Sequence, residues 1–505
     1  MILFTKFNPR RLSSLPKLPP PQSSLADTDR IAKLINDHPF PTEPLLPLLH
    51  HHLTPQLLTP VFLESILVRL FAGHVNGHKA LELFLFSLHH PILRPTPRAF
   101  NFTLHILVRM REFDKGWELL ETVRKENVAL ITPKALSMVI TKYVKFKSFD
   151  ETMEAFERME SQGFLGREFR LPEFNVLIRA FCVEKKMMEA KAVFRRFHSR
   201  FGMDSRTVNV LLLGFKETKN VFAMDLFYHE AVVRGFKADA VSYNIRIDAY
   251  CKKGRFQTAM ELLEEMSDRG FAVTVETMTT LIQGASIARK PVVARRLFDE
   301  LVGRNLVVDT GAYNALISVF ARTKDMKSGV ELMDEMEEKG IDHDDVTYYT
   351  MYEGIQKFGC IDDVLKLYKR MTNKNFVPKT RTVIMLMKYF CQNRRSDLGL
   401  QLWGYMIEKG CCPHGHVLDL LVTGLCCRGK VDEAFGCFKQ VIESGRHPTE
   451  RGFRVLEGFL MQDDGIGGGV DKLKQLTGML KRLQQVVPSS KGHALHSLSP
   501  NVEIC

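Results

Sequence analysis

Residues 240–274 read AVSYNIRIDAYCKKGRFQTAMELLEEMSDRGFAVT, and residues 415–449 read GHVLDLLVTGLCCRGKVDEAFGCFKQVIESGRHPT. The same pattern opens at Leu171, Ser205, Ala240, Val275, Thr310, Asp345, Thr380 and Gly415, roughly 35 residues apart. A fixed period of this size marks a stack of identical supersecondary units, each too small to bury its apolar face alone. Within 240–274, Tyr243, Ile247, Tyr250 and Cys251 fall at i, i+4, i+7 and i+8, one face of a first helix. Gly254 breaks that helix and suits a left-handed C-terminal turn. Phe256, Ala259, Met260, Leu263 and Met266 form the stripe of a second helix, which Gly270 ends. The unit is therefore a helix–turn–helix hairpin. The chain predicts an all-α fold, a right-handed α-solenoid superhelix of about ten to eleven helix pairs.

The punctuation recurs along the chain. Gly254, Gly359 and Gly429 end first helices; Gly163, Gly235, Gly270, Gly340, Gly410 and Gly445 end second helices. Ala190, Ala259, Ala294 and Ala434 mark close helix approaches. Toward the N-terminus the units loosen: 133–170 carries extra linker at 165–170, 97–132 keeps Phe100-Asn101, and 61–96 is degenerate. The expected organisation is a transit peptide at 1–30, a helical region with a degenerate repeat at 31–96, and the repeat array at 97–459. A linker and capping helix at 460–487 and a disordered tail at 488–505 complete it.

The chain has 505 residues and a formal net charge of +12. A stacked array explains how so long a chain finds a core, since each unit packs only on its neighbours. The basic balance points to an anionic partner, nucleic acid first. No run of 18 apolar residues suggests a transmembrane helix. Among ten cysteines, Cys182, Cys251, Cys391 and Cys426 share the twelfth repeat position, where a small apolar side chain faces the packed side; this reads as reduced, intracellular cysteine. The first residues, MILFTKFNPRRLSSLPKLPPPQSSLA, carry Lys6, Arg10, Arg11 and Lys17 and no acid before Asp27. That composition fits an organelle transit peptide, mitochondrial rather than plastid because arginine comes early.

The stretches SYNIRIDAYCKKGRFQTAMELLEEMSDRG, AYNALISVF and DVTYYTMYEGIQKFG closely resemble pentatricopeptide repeats of the P class, a family of mostly plant organellar proteins that bind single-stranded RNA. The resemblance covers roughly residues 97–459. The Trp-x-x-Leu-Gly-x-x-Tyr pattern of tetratricopeptide repeats is absent. The family reads one base per repeat with two or three side chains. By that resemblance the fifth and last residues of each unit select the base. This implies Asn175/Asp204, Asn209/Asp239 and Asn314/Asp344 for uracil, Thr279/Asp309 for guanine, and Asn244/Thr274 for a pyrimidine. With the N-terminal repeats on the 5′ side, the core is U-U-pyrimidine-G-U. Val241 and Val346 are placed to sandwich bases. Arg206 and Arg381, at the same second position, are placed to stack or to contact phosphate. The C-terminal pairs Tyr349/Lys379, Ile384/His414 and Asp419/Thr449 depart from the code.

A reading from the residues alone stands beside this one. Asn is a mediocre helix former, so its recurrence at one helical position suggests a task other than stability. The Asp residues precede helices and also suit ordinary N-caps. No catalytic constellation appears: there is no GxxxxGK[ST] loop, and Cys411, Cys412, His414, His416, Cys426 and Cys427 match no standard zinc spacing. No enzyme activity, metal or cofactor is expected. The resemblance implies sequence-selective single-stranded RNA binding in mitochondrial intron splicing or in transcript processing and stabilisation. Other splicing or processing factors are further partners, with neither membrane nor DNA. The alternative is a helical protein-interaction scaffold, such as a ribosome-associated or translation factor, and the alternative compartment is the chloroplast.

Overall fold

The computed structural model describes residues 22–53, 59–73, 75–91, 93–304, 306–411, 414–462 and 468–486. Most of the expected transit peptide and the whole expected tail lie outside the described residues. Within them are 26 α-helices and no strand. First helices open where the sequence units open: Leu171–Val183, Ser205–Glu217, Ala240–Lys252, Val275–Ile287, Thr310–Thr323, Asp345–Phe358, Thr380–Gln392 and Gly415–Cys426. The chain divides into two compact units, the described residues up to Ala249 and those from Tyr250 on. In each, first helices pack on one another as one layer, and most second helices pack on the first helix of their own hairpin. Each unit is an α-solenoid. A helix covers Gly468–Val486 and packs on Glu450–Gln462 and Val431–Glu443, at the place expected for a cap.

Many first helices start where a side chain satisfies a backbone donor that has no helical partner. Thr96, Thr132, Asp204, Thr274, Asp309 and Asp344 each accept a bond from an N–H of the first turn. Ser148 and Glu151 close a reciprocal capping box. The buried stripes are those the periodicity gives: Tyr243, Ile247, Ala259, Met266, Ala294 and Leu301 are at most 1% exposed.

Gly254, Gly359 and Gly429 follow the ends of first helices as expected, but the turn takes more than one form. Gly254 and Gly429 hold φ of +78° and +72°, in the left-handed region. Gly359 does not; its φ is −104° with extended ψ, because its N–H bonds to Ile355 O and the next helix starts at once. At the equivalent turn of other units the left-handed residue is a cation: Arg111, Lys185, Lys219, Arg289, Lys324 and Arg394, with φ between 53° and 69°. A non-glycine residue pays steric strain there. A cation at a helix C-terminus recovers part of it by facing the exposed carbonyls.

Glycines inside first helices set how closely neighbours approach. Gly214 lies over Cys182, and Gly424 over Cys391: an added Cβ would sit 2.8 Å from Cys182 Sγ and 2.7 Å from Cys391 Sγ. Gly354 meets Ala321 in the same register, at 2.9 Å. The twelfth-position cysteine is thus one half of a contact whose other half is the tenth residue of the next unit. Cys182, Cys251 and Cys426 are buried as expected, whereas Cys391 is half-buried. Burial pushes the Cys182 thiol up to about 12, so it stays protonated and inert.

The extra linker at 165–170 is strapped down. The Arg167 guanidinium donates to both oxygens of Glu173, at 2.8 and 3.2 Å, and Arg170 N–H donates to the same carboxylate at 2.9 Å. Burial pushes the Glu173 carboxyl up, but these bonds outweigh it and hold the pKa below the ordinary value. Arg167→Ala should leave a carboxylate that is 6% exposed without its main partner. A loss of about 1–2 kcal/mol is expected, less than for a fully buried pair because the arginine itself is partly in water. Urea denaturation measures it, and adding Glu173→Gln should restore part of the loss. An unchanged midpoint for Arg167→Ala would show that the strap is ornamental.

Candidate nucleic-acid interface

The fifth residue of each unit sits one turn into the first helix, and the last residue caps the following first helix. The hairpin repeat brings the two side by side. Asn314 Nδ2 donates to Asp344 Oδ1 at 2.9 Å. Asn209 Nδ2 donates to both carboxylate oxygens of Asp239, at 3.3 and 3.2 Å. Asn175 Nδ2 reaches Asp204 Oδ1 at 3.5 Å. The same carboxylates are N-caps: Asp204 Oδ1 accepts from Thr207 N–H at 2.7 Å, Asp239 Oδ1 from Ser242 N–H at 2.7 Å, and Asp344 Oδ1 from Thr347 N–H at 2.9 Å. Capping and pairing therefore coexist on one side chain.

This pairing fixes the amide orientation. With Nδ2 committed to the aspartate, the Oδ1 atoms of Asn175 and Asn209 are buried and accept no hydrogen bond, as is Asn101 Oδ1 at the same register. Thr279 Oγ1, again at the fifth position, is likewise buried without a partner. Native proteins leave few such atoms, and here four fall at one repeat position. Asn314 differs: its Oδ1 accepts from the Thr347 hydroxyl at 2.7 Å, and that hydroxyl also lies 3.0 Å from Asp344 Oδ1.

Not every expected pair is brought together. The Thr279 hydroxyl makes no bond to Asp309, whose carboxylate caps Ala312 N–H at 2.9 Å. Asn244 is half-buried, and Thr274 caps Thr277. Val241 and Val346 are 40% and 52% exposed, open enough to meet a planar ligand. Arg206 is exposed beside Asp204. Arg381 is already stacked, its Cζ 3.9 Å from the Tyr349 ring centroid.

The electrostatics separate the two helix layers. Second helices spend their cations on one another's acids: Arg158–Glu121, Arg196–Glu157, Arg200–Glu160 and Arg370–Glu337 each close to 2.6 Å across neighbouring hairpins. First helices are short of acids. Pro97–Arg109 and Pro133–Phe146 carry Arg98, Arg109, Lys134, Lys142 and Lys145 and no carboxylate. Burial lowers the His105 pKa to about 4, and Lys142, Arg109 and Lys134 push it the same way, so its imidazole is neutral at physiological pH. The sequence marks Arg98 and Lys134 as second-position cations, but not their grouping with Arg109 and Lys142 near His105, because the members come from separate units. The acid-free composition of two successive first helices was the available signal. For Asp344, burial raises the pKa, but bonds from Thr347, Asn314 and Val346 bring it below the ordinary carboxylate value. The stability it lends is complete above pH ~4 and is lost only as pH falls through the lowered pKa.

The PPR repeat family model matches residues 238–286 and 308–357, and the PPR repeat model matches 135–164, 174–200, 276–306, 382–411 and 419–446. A pentatricopeptide repeat-containing protein of Arabidopsis thaliana is 45% identical over 480 residues, covering 94% of this chain and 95% of its own. The chain belongs to the pentatricopeptide repeat family. A mitochondrial pentatricopeptide repeat-containing protein of Arabidopsis thaliana is 25% identical over 361 residues, 70% of this chain and 61% of the relative. A small ribosomal subunit protein from the same organism is 24% identical over 333 residues, 65% of this chain and 80% of the relative. In this pentatricopeptide repeat protein, then, the recurring Asn–Asp pairs lie on first helices and the ion-pair ladder on second helices.

Proposed function

We propose that this pentatricopeptide repeat protein binds single-stranded RNA sequence-selectively in the mitochondrion and serves intron splicing or transcript processing and stabilisation. The observation that carries the reading is the recurrence of unpartnered acceptors at the fifth position. A uracil ring N–H is a donor of the right kind for the Asn carbonyl, and the fixed amide orientation presents only that carbonyl. Acid-poor first helices supply the phosphate attraction that binding any nucleic acid needs. Function follows by occupancy: a covered segment cannot pair with other RNA and is shielded from exonucleases. The basic, acid-poor first 26 residues and the mitochondrial relative support the compartment.

The test is a binding titration of RNA containing U-U-pyrimidine-G-U against the same RNA with G replaced by C. Tighter binding of the first supports the assignment of Thr279/Asp309; equal affinity removes it. The second reading, a scaffold on a ribosome or translation complex, is favoured by the ribosomal relative and by the code-poor C-terminal pairs. RNA crosslinked to the protein in purified mitochondria separates them. One enriched intron or transcript-end segment supports selective binding, and ribosomal RNA without the core sequence supports the scaffold.

A further inference from the structure

We propose that a groove in the C-terminal hairpins holds the phosphates of a single RNA strand without reading its sequence, entered over a Tyr349–Arg381 stacking platform. The proposal rests on the RNA-binding reading and extends it to the units that lack a base code. The groove has a volume of about 950 Å³ and runs along Thr380–Gln392 and Gly415–Cys426 to Arg451 of the next first helix. Lys388, Arg394, Arg428, Lys430 and Arg451 line it against one carboxylate, Asp419.

Four of the five cations are free and the acid is not. Lys430 lies 3.7 Å from Glu433, whereas Lys388, Arg394, Arg428 and Arg451 have no carboxylate within ion-pair distance among the described residues. Arg395 shows the contrast: one residue beyond Arg394, it is locked onto Asp397 at 2.7 Å. Asp419 is 8% exposed and accepts the Thr449 hydroxyl, so it faces the cap of the next first helix. Arg394 also holds φ of +58°, where the next unit uses Gly429. The fold keeps a cation at this turn in spite of backbone strain.

The fifth positions explain why nothing is read here. Ile384 has no side-chain hydrogen-bonding group, and Asp419 already accepts the Thr449 hydroxyl and, when ionised, has no donor to offer a base. Tyr349 offers a flat ring, and Arg381 lies over it with Nη2 donating to the Tyr349 hydroxyl at 2.8 Å. The exposed guanidinium plane can take any base, since every base has a π face. Arg381 and Lys388 are seven residues apart on one helix and share a stripe, so the platform leads toward the groove. An acidic peptide would use the cations and leave the platform idle. A nucleic-acid strand uses both.

The experiment measures full-length protein binding to the core RNA and to the same RNA extended by six cytidines or six uridines at either end. One extension direction should tighten binding roughly tenfold or more, equally for both sequences. The variant K388Q/R394Q/R428Q/R451Q should erase the ratio of extended to core affinity. It should also flatten the log–log salt dependence for extended RNA by about two to three, four phosphates at roughly 0.7 each. Arg394→Gly relieves strain, folds at least as well, and should remove part of the gain by itself. Core RNA binding with no gain from any extension overturns this inference and leaves the proposed function intact; a gain that depends on sequence, or one that survives the fourfold variant, also overturns it. Displacement by polyglutamate with no gain from extension would assign the groove to an acidic protein. If no RNA binds at all, both readings fall.

Discussion

Asn209→Ala is expected to weaken binding of RNA with uracil at the matching position by roughly ten- to a hundred-fold, while thermal stability stays level or rises. The two halves have one cause. Asn209 is 7% exposed, its Nδ2 is held by Asp239, and its Oδ1 has no partner. A buried acceptor left unpaired costs the folded state about 1–3 kcal/mol, so its removal takes away a penalty along with one bond. A bound base that donates to Oδ1 gains a comparable amount, the scale of a specific base contact. Asp239 keeps its cap on Ser242 in the variant, so the helix start survives. Asp239→Asn separates the roles further: Asn caps about as well as Asp but cannot hold the Asn209 amide with a charge-assisted bond. It should spare stability and relax base preference. Binding of uracil- and cytosine-containing RNAs, with melting of the free proteins, checks both. If Asn209→Ala unfolds more easily and binds RNA as before, the residue is structural.

Gly214→Val should destabilise the first unit by about 2–3 kcal/mol. Its Cβ would fall 2.6 Å from Met187 Sδ, 2.8 Å from Cys182 Sγ and 2.9 Å from Cys182 Cβ, and the added methyls reach further. Overpacking a close contact costs about 1–3 kcal/mol, and valine recovers little of glycine's helix penalty. Gly214→Ala should cost less, because alanine regains about 1 kcal/mol of propensity and a flexible Met187 can move. Cys182→Ala removes the sulfur on the opposite side, so the Gly214→Ala/Cys182→Ala pair should be more stable than additivity of the singles gives. In a linear stack the damage is local. Hydrogen exchange should quicken in the helices Leu171–Val183 and Ser205–Glu217 before the rest of the unit. A Gly214→Val protein that melts with the parent would show that the inter-hairpin spacing is soft.

The hairpins were legible because a repeat states its own register. Apolar spacing in 240–274 marks two faces, and the caps Asp204, Thr274, Asp309 and Asp344 stand one residue before their helices. Position within the period also located the Asn and Asp side chains. It gave the aspartates two compatible roles, base selection and N-capping. The structure shows the caps of Asp204, Asp239 and Asp344 and adds an asparagine amide of the previous hairpin beside each carboxylate. Thr279 and Asp309 share the spacing without the bond, because a threonine hydroxyl is shorter than an asparagine amide.

The sequence by itself therefore determined secondary structure, hairpin topology and the register of the candidate reading positions, all of which depend on short-range periodicity. The tertiary structure alone decided which polar atoms are left unpaired and which cations are free. Arg394 and Arg395 are adjacent and chemically identical, yet one is locked to Asp397 and the other lines a groove with Arg451. Their types cannot distinguish them: Arg395 is the N-cap residue and meets Asp397 in the first turn of that helix, whereas Arg394, at φ +58°, lines the groove with residues of the following hairpins. The same holds for Gly214, whose lack of a side chain has a purpose only once Cys182 of the previous hairpin is seen against it.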